Sequence, residues 1–197
     1  MSTAPKPFPY GIHPAVAHMR AIADNLPKKT GKPLAEWIAL VEAEAPATEK
    51  ERMAWLKAEH QLGRDTAMTI LEFAKGEQEY DPDALVAAMY DGPKAVLVPI
   101  YERLMEFALA LGEDVKAAPC STYVPLMRKR QFAVIKPTTR TRIDLGLALG
   151  DQEASGRLAI AKNVGSARIT HCVGLTSLDD IDEAVSRWLR EAYAQDA

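Results

Sequence analysis

The apolar side chains of this chain keep a helical spacing as far as Gly112 and alternate after it, and one regular architecture cannot satisfy both periods. From Arg140 to Leu149, the residues Thr141, Ile143, Leu145, Leu147 and Leu149 fall on one side, with Arg140, Arg142 and Asp144 on the other. That alternation predicts a sheet with one face covered and one face open. Gln131 to Lys136 and Arg168 to Leu175 read as further strands, and Thr122 to Met127 as a shorter one that Pro125 pushes to an edge. Ser177-Leu-Asp-Asp180 caps a last helix striped by Ile181, Val185, Trp188 and Ala192.

The helical part is made of short pieces. Val16, Met19, Ala23 and Leu26 share a face that Pro27 is expected to end, and Leu34, Trp37, Ile38 and Val41 form a stripe behind Pro33. Thr48 with Glu51 spells a capping box ahead of Met53, Trp55, Leu56 and His60, and Gly63 closes that helix. Ala67, Ile70, Leu71 and Ala74 make a fourth stripe stopping at Gly76. Acidic, polar residues from Glu77 to Asp83 mark a hinge, followed by a short helix from Asp83 to Tyr90. A long helix then runs to Gly112, with Pro99 in its first turn or at a bend. The predicted fold class is therefore α+β: a small N-terminal all-α bundle, then an antiparallel β-sheet with helices packed on one face. The expected division is residues 1–29 as leader and first helix, 30–80 as helical module and 81–197 as α+β module.

Composition excludes several classes. With 48% hydrophobic residues the chain can bury a core, so disorder is ruled out. The most apolar segment, Ala95 to Leu111, is interrupted by Pro99, Glu102, Arg103 and Glu106, which is incompatible with a membrane helix. The first ten residues hold three prolines and no apolar run, so they read as a loose leader, and the chain is expected in the cytoplasm. Cys120 and Cys172 lack metal or redox spacing and are expected to be reduced thiols.

Charge is the informative property. The net charge is only −3, yet Val115 to Ile143 carries seven Lys or Arg and no Asp or Glu. Two adjacent strands would set Arg140 and Arg142 beside Arg128, Arg130 or Lys136, at roughly 5 Å spacing. Such crowding makes sense if an anion or Asp144 neutralises it, because guanidinium forks match phosphate and carboxylate. Tyr123 would add a flat contact, and Thr138 and Thr139 hydroxyl donors at the hairpin. The bland alternative, equally weighted, is a solvated face balanced by acids from other elements.

These residues also carry a resemblance. Thr30-Gly-Lys-x-Leu-x-x-Trp37-Ile, followed by Trp55-Leu-Lys-x-Glu-His60-x-Leu-Gly63, resembles the helical N-terminal module of a bacterial family of unknown function. The segment from Thr122 to Gly146, with Ile169-Thr-His171 and the stretch from Asp182 to Tyr193, is similar to the uncharacterised C-terminal module usually joined to it. The resemblance implies no established activity. It also extends to a module appended to predicted nuclease-type proteins, which implies a nucleic-acid neighbourhood by analogy.

Other features favour structure over chemistry. His171 alternates with Ile169, Val173 and Leu175 and so is expected to point into the covered layer, and the turn from His60 to Leu71 has one glycine where a helix-hairpin-helix has two. His13, His18 and His60 lack a metal-binding pattern, and no nucleotide-loop, nucleophile-elbow or calcium-loop motif is present. The expectation is a non-enzymatic binding protein with no catalytic residue, metal or cofactor. Its site of Tyr123, Arg128, Arg130, Lys136, Thr138, Thr139, Arg140, Arg142 and Asp144 would take nucleic acid or a phosphate-bearing ligand. Two alternatives stay open: an enzyme on a small phosphorylated or carboxylated substrate, using Asp144 or His171 as acid or base, and an interaction scaffold that docks a partner or forms a homodimer.

Overall fold

The computed structural model describes residues 4–76 and 80–196; the first three positions of the expected hinge, 77–79, lie outside the described residues. The chain divides into two compact units, residues 14–80 and residues 1–13 together with 81–197. The first helix thus belongs with the helices that follow it, while the leader belongs to the sheet-bearing unit.

The helical unit holds α1 (Pro14–Thr30), α2 (Leu34–Glu44), α3 (Glu49–Ala58) and α4 (Arg64–Ala74). Helix α1 runs through Pro27, against expectation. The proline forfeits one backbone bond, but the last turn is re-tied by Gly31 N–H to Pro27 O at 2.9 Å and Thr30 Oγ1 to Leu26 O at 2.8 Å. Lys28 and Lys29 there also complement the helix dipole. The Thr48–Glu51 capping box forms at the start of α3. Leu26, Trp37, Val41, Leu56, Ala67 and Ile70 make a common core, and Gly63 caps α4 with an ordinary negative φ of −64°. The turn of the weighed helix-hairpin-helix motif is therefore helix packing.

The second unit is α+β. Helix α5 (Pro82–Met89), a 3-10 turn at Gly92–Leu97 and α6 (Val98–Leu109) precede the sheet, and α7 (Glu183–Ala194) follows it. Pro99 sits in the first turn of α6, where its missing N–H costs nothing. The strands are β1 (Lys116–Ala117), β2 (Val124–Met127), β3 (Gln131–Lys136), β4 (Ile143–Leu147), β5 (Ala159–Ile160) and β6 (His171–Leu175), paired antiparallel in the order β1-β2-β3-β4-β6-β5. The core joins α5, α6 and α7 to one sheet face, with Leu104, Met105, Ile135, Leu145, Val173 and Leu189 fully or almost fully buried. Each such side chain contributes about 1.5–3 kcal/mol.

Two expectations about the sheet are corrected. Strand β2 is interior, because β1 pairs with it outside β3. Pro125 is tolerated where β1 stops: Ala118 N–H reaches Pro125 O at 3.3 Å, and the reciprocal bond that would lengthen β1 needs the N–H that proline lacks. Nor is the second face open. Every residue of β4 is buried, and beyond Gly146 a small apolar plug of Val134, Ala148, Val164 and Ile169 covers it. Apart from Val134, which stands on β3, the plug comes from the segment between β4 and β6, whose residues show no period that would mark them as packing material.

Candidate functional site

The second sheet face is ordered by register. Val134, Gly146 and Cys172 form one row and Lys136, Asp144 and Gly174 the next, while Ile135, Leu145 and Val173 point into the core. The first row lies under the plug. The second row reaches the β3–β4 hairpin, where the cover ends and Thr138, Thr139, Arg140 and Arg142 are exposed.

At this end the charges are arranged closely. Arg142 holds Asp144 with two donors, Nε to Oδ1 at 2.8 Å and Nη2 to Oδ2 at 3.4 Å. Its side chain lies over Gly174, where an added Cβ would stand 3.0 Å from Arg142 Cδ. Gly174 is therefore part of the site, and sequence reading passed over it because a glycine leaves no chemical signal. Lys136 Nζ donates to Asn163 O at 2.9 Å, and Lys94 Nζ donates to Pro137 O at 2.7 Å. Lys94 was also missed; it arrives from the turn before α6, 43 positions away along the chain. Arg140 has no partner among the described residues. The hairpin is shaped from within by Thr139 N–H to Arg142 O at 3.3 Å, by Thr141 N–H to Thr139 Oγ1 at 3.3 Å and by Thr138 Oγ1 to Lys136 O at 3.4 Å.

Arg128 and Arg130 lie elsewhere. They sit at the opposite end of β3, about 20 Å away for six residues of extended chain. Arg128 is bound by Asp114 and stacks 4.6 Å over the Tyr193 ring, whose hydroxyl also donates to Asp114 at 2.8 Å. The Arg130 backbone N–H and Nε reach the two oxygens of fully buried Asp196 at 2.7 and 3.0 Å, and Arg168 adds a bond at 3.0 Å. Both arginines are clamps that fix the β2–β3 turn and the end of α7. The expectation of one continuous basic face carrying Arg128, Arg130, Lys136, Arg140 and Arg142 is therefore corrected to a local cluster at the hairpin. Alternation could not reveal Asp114 and Asp196, which come from distant parts of the chain.

Tyr123 stands one residue beyond the Val124–Ile135 pair and packs against the plug, so its ring is half-buried, and burial raises its phenol pKa. Phe132 is buried against Tyr193, with ring centroids 5.6 Å apart. Burial, and after it the Asp144 charge, pushes the Cys172 thiol up, which makes it a poor nucleophile; neither Cys120 nor Cys172 is paired. His171 is 1% exposed on the core side, between Thr170 Oγ1 and Gln152 O, both at 2.8 Å. The Gln152 carbonyl can only accept, so Nε2 carries a proton and Nδ1 is free to accept from Thr170. Asp144 faces the other side of the sheet, so no cleft brings the two together.

Residues 86–196 match the family described as Domain of unknown function (DUF5655), and residues 18–76 match Domain of unknown function (DUF4287). The chain belongs to the DUF5655 family. The DUF5655 match takes in α6, α7 and all six strands, and the DUF4287 match lies within the helical unit, so two modules of uncharacterised families are joined here. No curated protein and no solved structure matches the chain. Among the described residues, no helix is long and apolar enough to cross a membrane.

Proposed function

We propose that this DUF5655 protein binds a small phosphate-bearing ligand at the β3–β4 hairpin. One observation carries the reading: Lys94, Lys136, Arg140 and Arg142 gather at the hairpin, where Asp144 is held by Arg142 alone, Lys94 and Lys136 reach only backbone carbonyls, and Arg140 is exposed without a partner among the described residues. Four cations against one anion leave room for about two or three negative charges, the size of a phosphate or diphosphate group. Thr138 and Thr139 add exposed hydroxyls, and Tyr123 lies at the end of the same row. A small ligand is favoured over nucleic acid because Arg128 and Arg130, which would lengthen the basic track, are already held by Asp114 and Asp196. The net charge of −3 points the same way. The two unpaired thiols support a reducing cytoplasmic compartment.

Calorimetric titration with inorganic pyrophosphate at 50 mM salt tests the proposal, beside anisotropy with labelled single- and double-stranded oligonucleotides. Binding of pyrophosphate is expected, with Arg140→Ala plus Arg142→Ala weakening it at least tenfold, as loss of one charge-assisted hydrogen bond worth about 1.5–3 kcal/mol requires. Silence with every anion removes the site. Oligonucleotide binding that falls steeply with salt, without pyrophosphate binding, replaces the small ligand by nucleic acid. Light scattering in the same buffers reads self-association.

A further inference from the structure

The segment Pro5-Lys6-Pro7-Phe8-Pro9-Tyr10 alternates proline with one cation and two aromatic residues. Three fixed φ angles and three missing N–H groups keep it extended at little entropic cost and unable to form a regular ladder. It nevertheless has a specific seat on the α+β unit. The Lys6 backbone N–H donates to Glu102 Oε1 at 2.8 Å, and its ammonium group pairs with Glu106. Phe8 meets Tyr101 edge to face, with centroids 6.0 Å apart at 88°. Tyr10 Oη lies 2.6 Å from Tyr101 Oη, Tyr10 bridges to Ala117 in parallel, and Gly11 N–H donates to Ala117 O at 2.8 Å.

The seat is more built than its occupant requires. Tyr101 is wholly buried, with the Tyr90 ring tilted at 32° and 4.6 Å away, and the Tyr90 hydroxyl is buried without a hydrogen-bond partner among the described residues. A groove of about 360 Å³ continues beside the segment, between Pro5, Lys6, Pro7 and Tyr10 on one wall and Asp81, Asp83, Ala84, Val86 and Ala87 on the other. The resident contacts are separable: Lys6 and Glu106 are both nearly half exposed, and such pairs contribute little. A short segment with one bridge and a few ring contacts opens locally far more easily than the sheet.

We propose that Glu102, Glu106, Tyr101 and the Ala117 edge form a docking groove for extended, proline-alternating peptide segments of a partner protein that carry Lys, Phe and Tyr two residues apart. Residues 5–11 are its resident occupant. Acidic side chains take the ammonium group, the tyrosine surface takes the rings, and the Ala117 carbonyl takes one backbone N–H, so the three contacts read spacing as well as composition. Because the resident segment is tethered, it competes at an effective concentration in the millimolar range and sets a threshold for the partner.

The test uses the full chain carrying Lys6→Ala and Phe8→Ala, titrated against a labelled peptide of residues 4–13 and followed by anisotropy. Saturable binding is expected, at least tenfold tighter than to the unsubstituted chain, and weakened at least threefold when Glu102→Gln and Glu106→Gln are added. A flat trace with a variant whose circular dichroism is native overturns the proposal, as does equal binding of a peptide in which Lys6→Ala and Phe8→Ala are made. Should the double variant not fold, Lys6→Ala alone, a surface change, decides: it must bind the peptide at least threefold more tightly than the unsubstituted chain, and failure to do so sinks the groove.

Discussion

Gly146 and Asp196 show how much of this fold depends on single groups. A Cβ at Gly146 would lie 2.6 Å from Val134 Cγ1, 2.7 Å from Ile169 Cγ2 and 2.8 Å from Val164 Cγ1, so the plug seats only because that position has no side chain. Gly146→Ala is expected to cost about 1–3 kcal/mol through overpacking, read as a lower urea midpoint at unchanged slope. Asp196 acts by charge. Burial opposes its ionisation, but the Arg130 N–H, the Arg130 side chain and Arg168 outweigh burial and hold its pKa below the usual carboxylate value. A carboxylate depressed in the folded state adds stability that is complete above its unfolded pKa, near 3.9, and is lost as pH falls through the folded value. Asp180, depressed mainly by the Thr176 N–H, acts in the same sense. Acid titration of the native signal should therefore be steeper for the natural chain than for Asp196→Asn. That variant is also expected to be less stable at pH 7 by about 1–3 kcal/mol, since it weakens the buried acceptor shared by the Arg130 N–H, Arg130 Nε and Arg168. Equal acid slopes would deny Asp196 this role.

The elements were legible where local chemistry decides them. The Thr48–Glu51 box forms, and Thr48→Ala should cost about 1 kcal/mol, measurable by thermal melting with Glu51 untouched. The bounds of β3 were readable from Gln131 and Lys136, because the apolar run Phe132 to Ile135 stops at a polar residue on each side, with Pro137 beyond. Where a distant partner decides, the pattern failed. Pro27 signalled an end to α1, yet Thr30 and Gly31 supply substitute bonds. Pro125 signalled an edge, yet β1 needs only two residues to pair outside it. The proposed site divides the same way: Lys136, Arg140, Arg142 and Asp144 were expected together because they sit on two consecutive strands and their turn. Lys94, Gly174 and Asn163 could not be found so, since one reaches the hairpin from another element, one contributes the lack of a side chain, and one contributes only its carbonyl.

At the scale of the whole molecule, two hydrophobic cores share no residue, one built from α1 to α4 and the other from the sheet and its three helices. Calorimetry is expected to show a total unfolding enthalpy larger than the van't Hoff value, the mark of more than one cooperative unit. Equality of the two would mean that the cores melt as one. The stretch that meets Ala117 is made before the helical unit, and its seat is made after it. At about 5–20 residues per second, the ribosome separates the two by roughly 5 to 20 seconds. Throughout that interval Phe8 and Tyr10 of the nascent chain lack the surface that covers them in the folded unit. A gene fragment starting at residue 81 would carry the same uncovered tyrosine surface permanently.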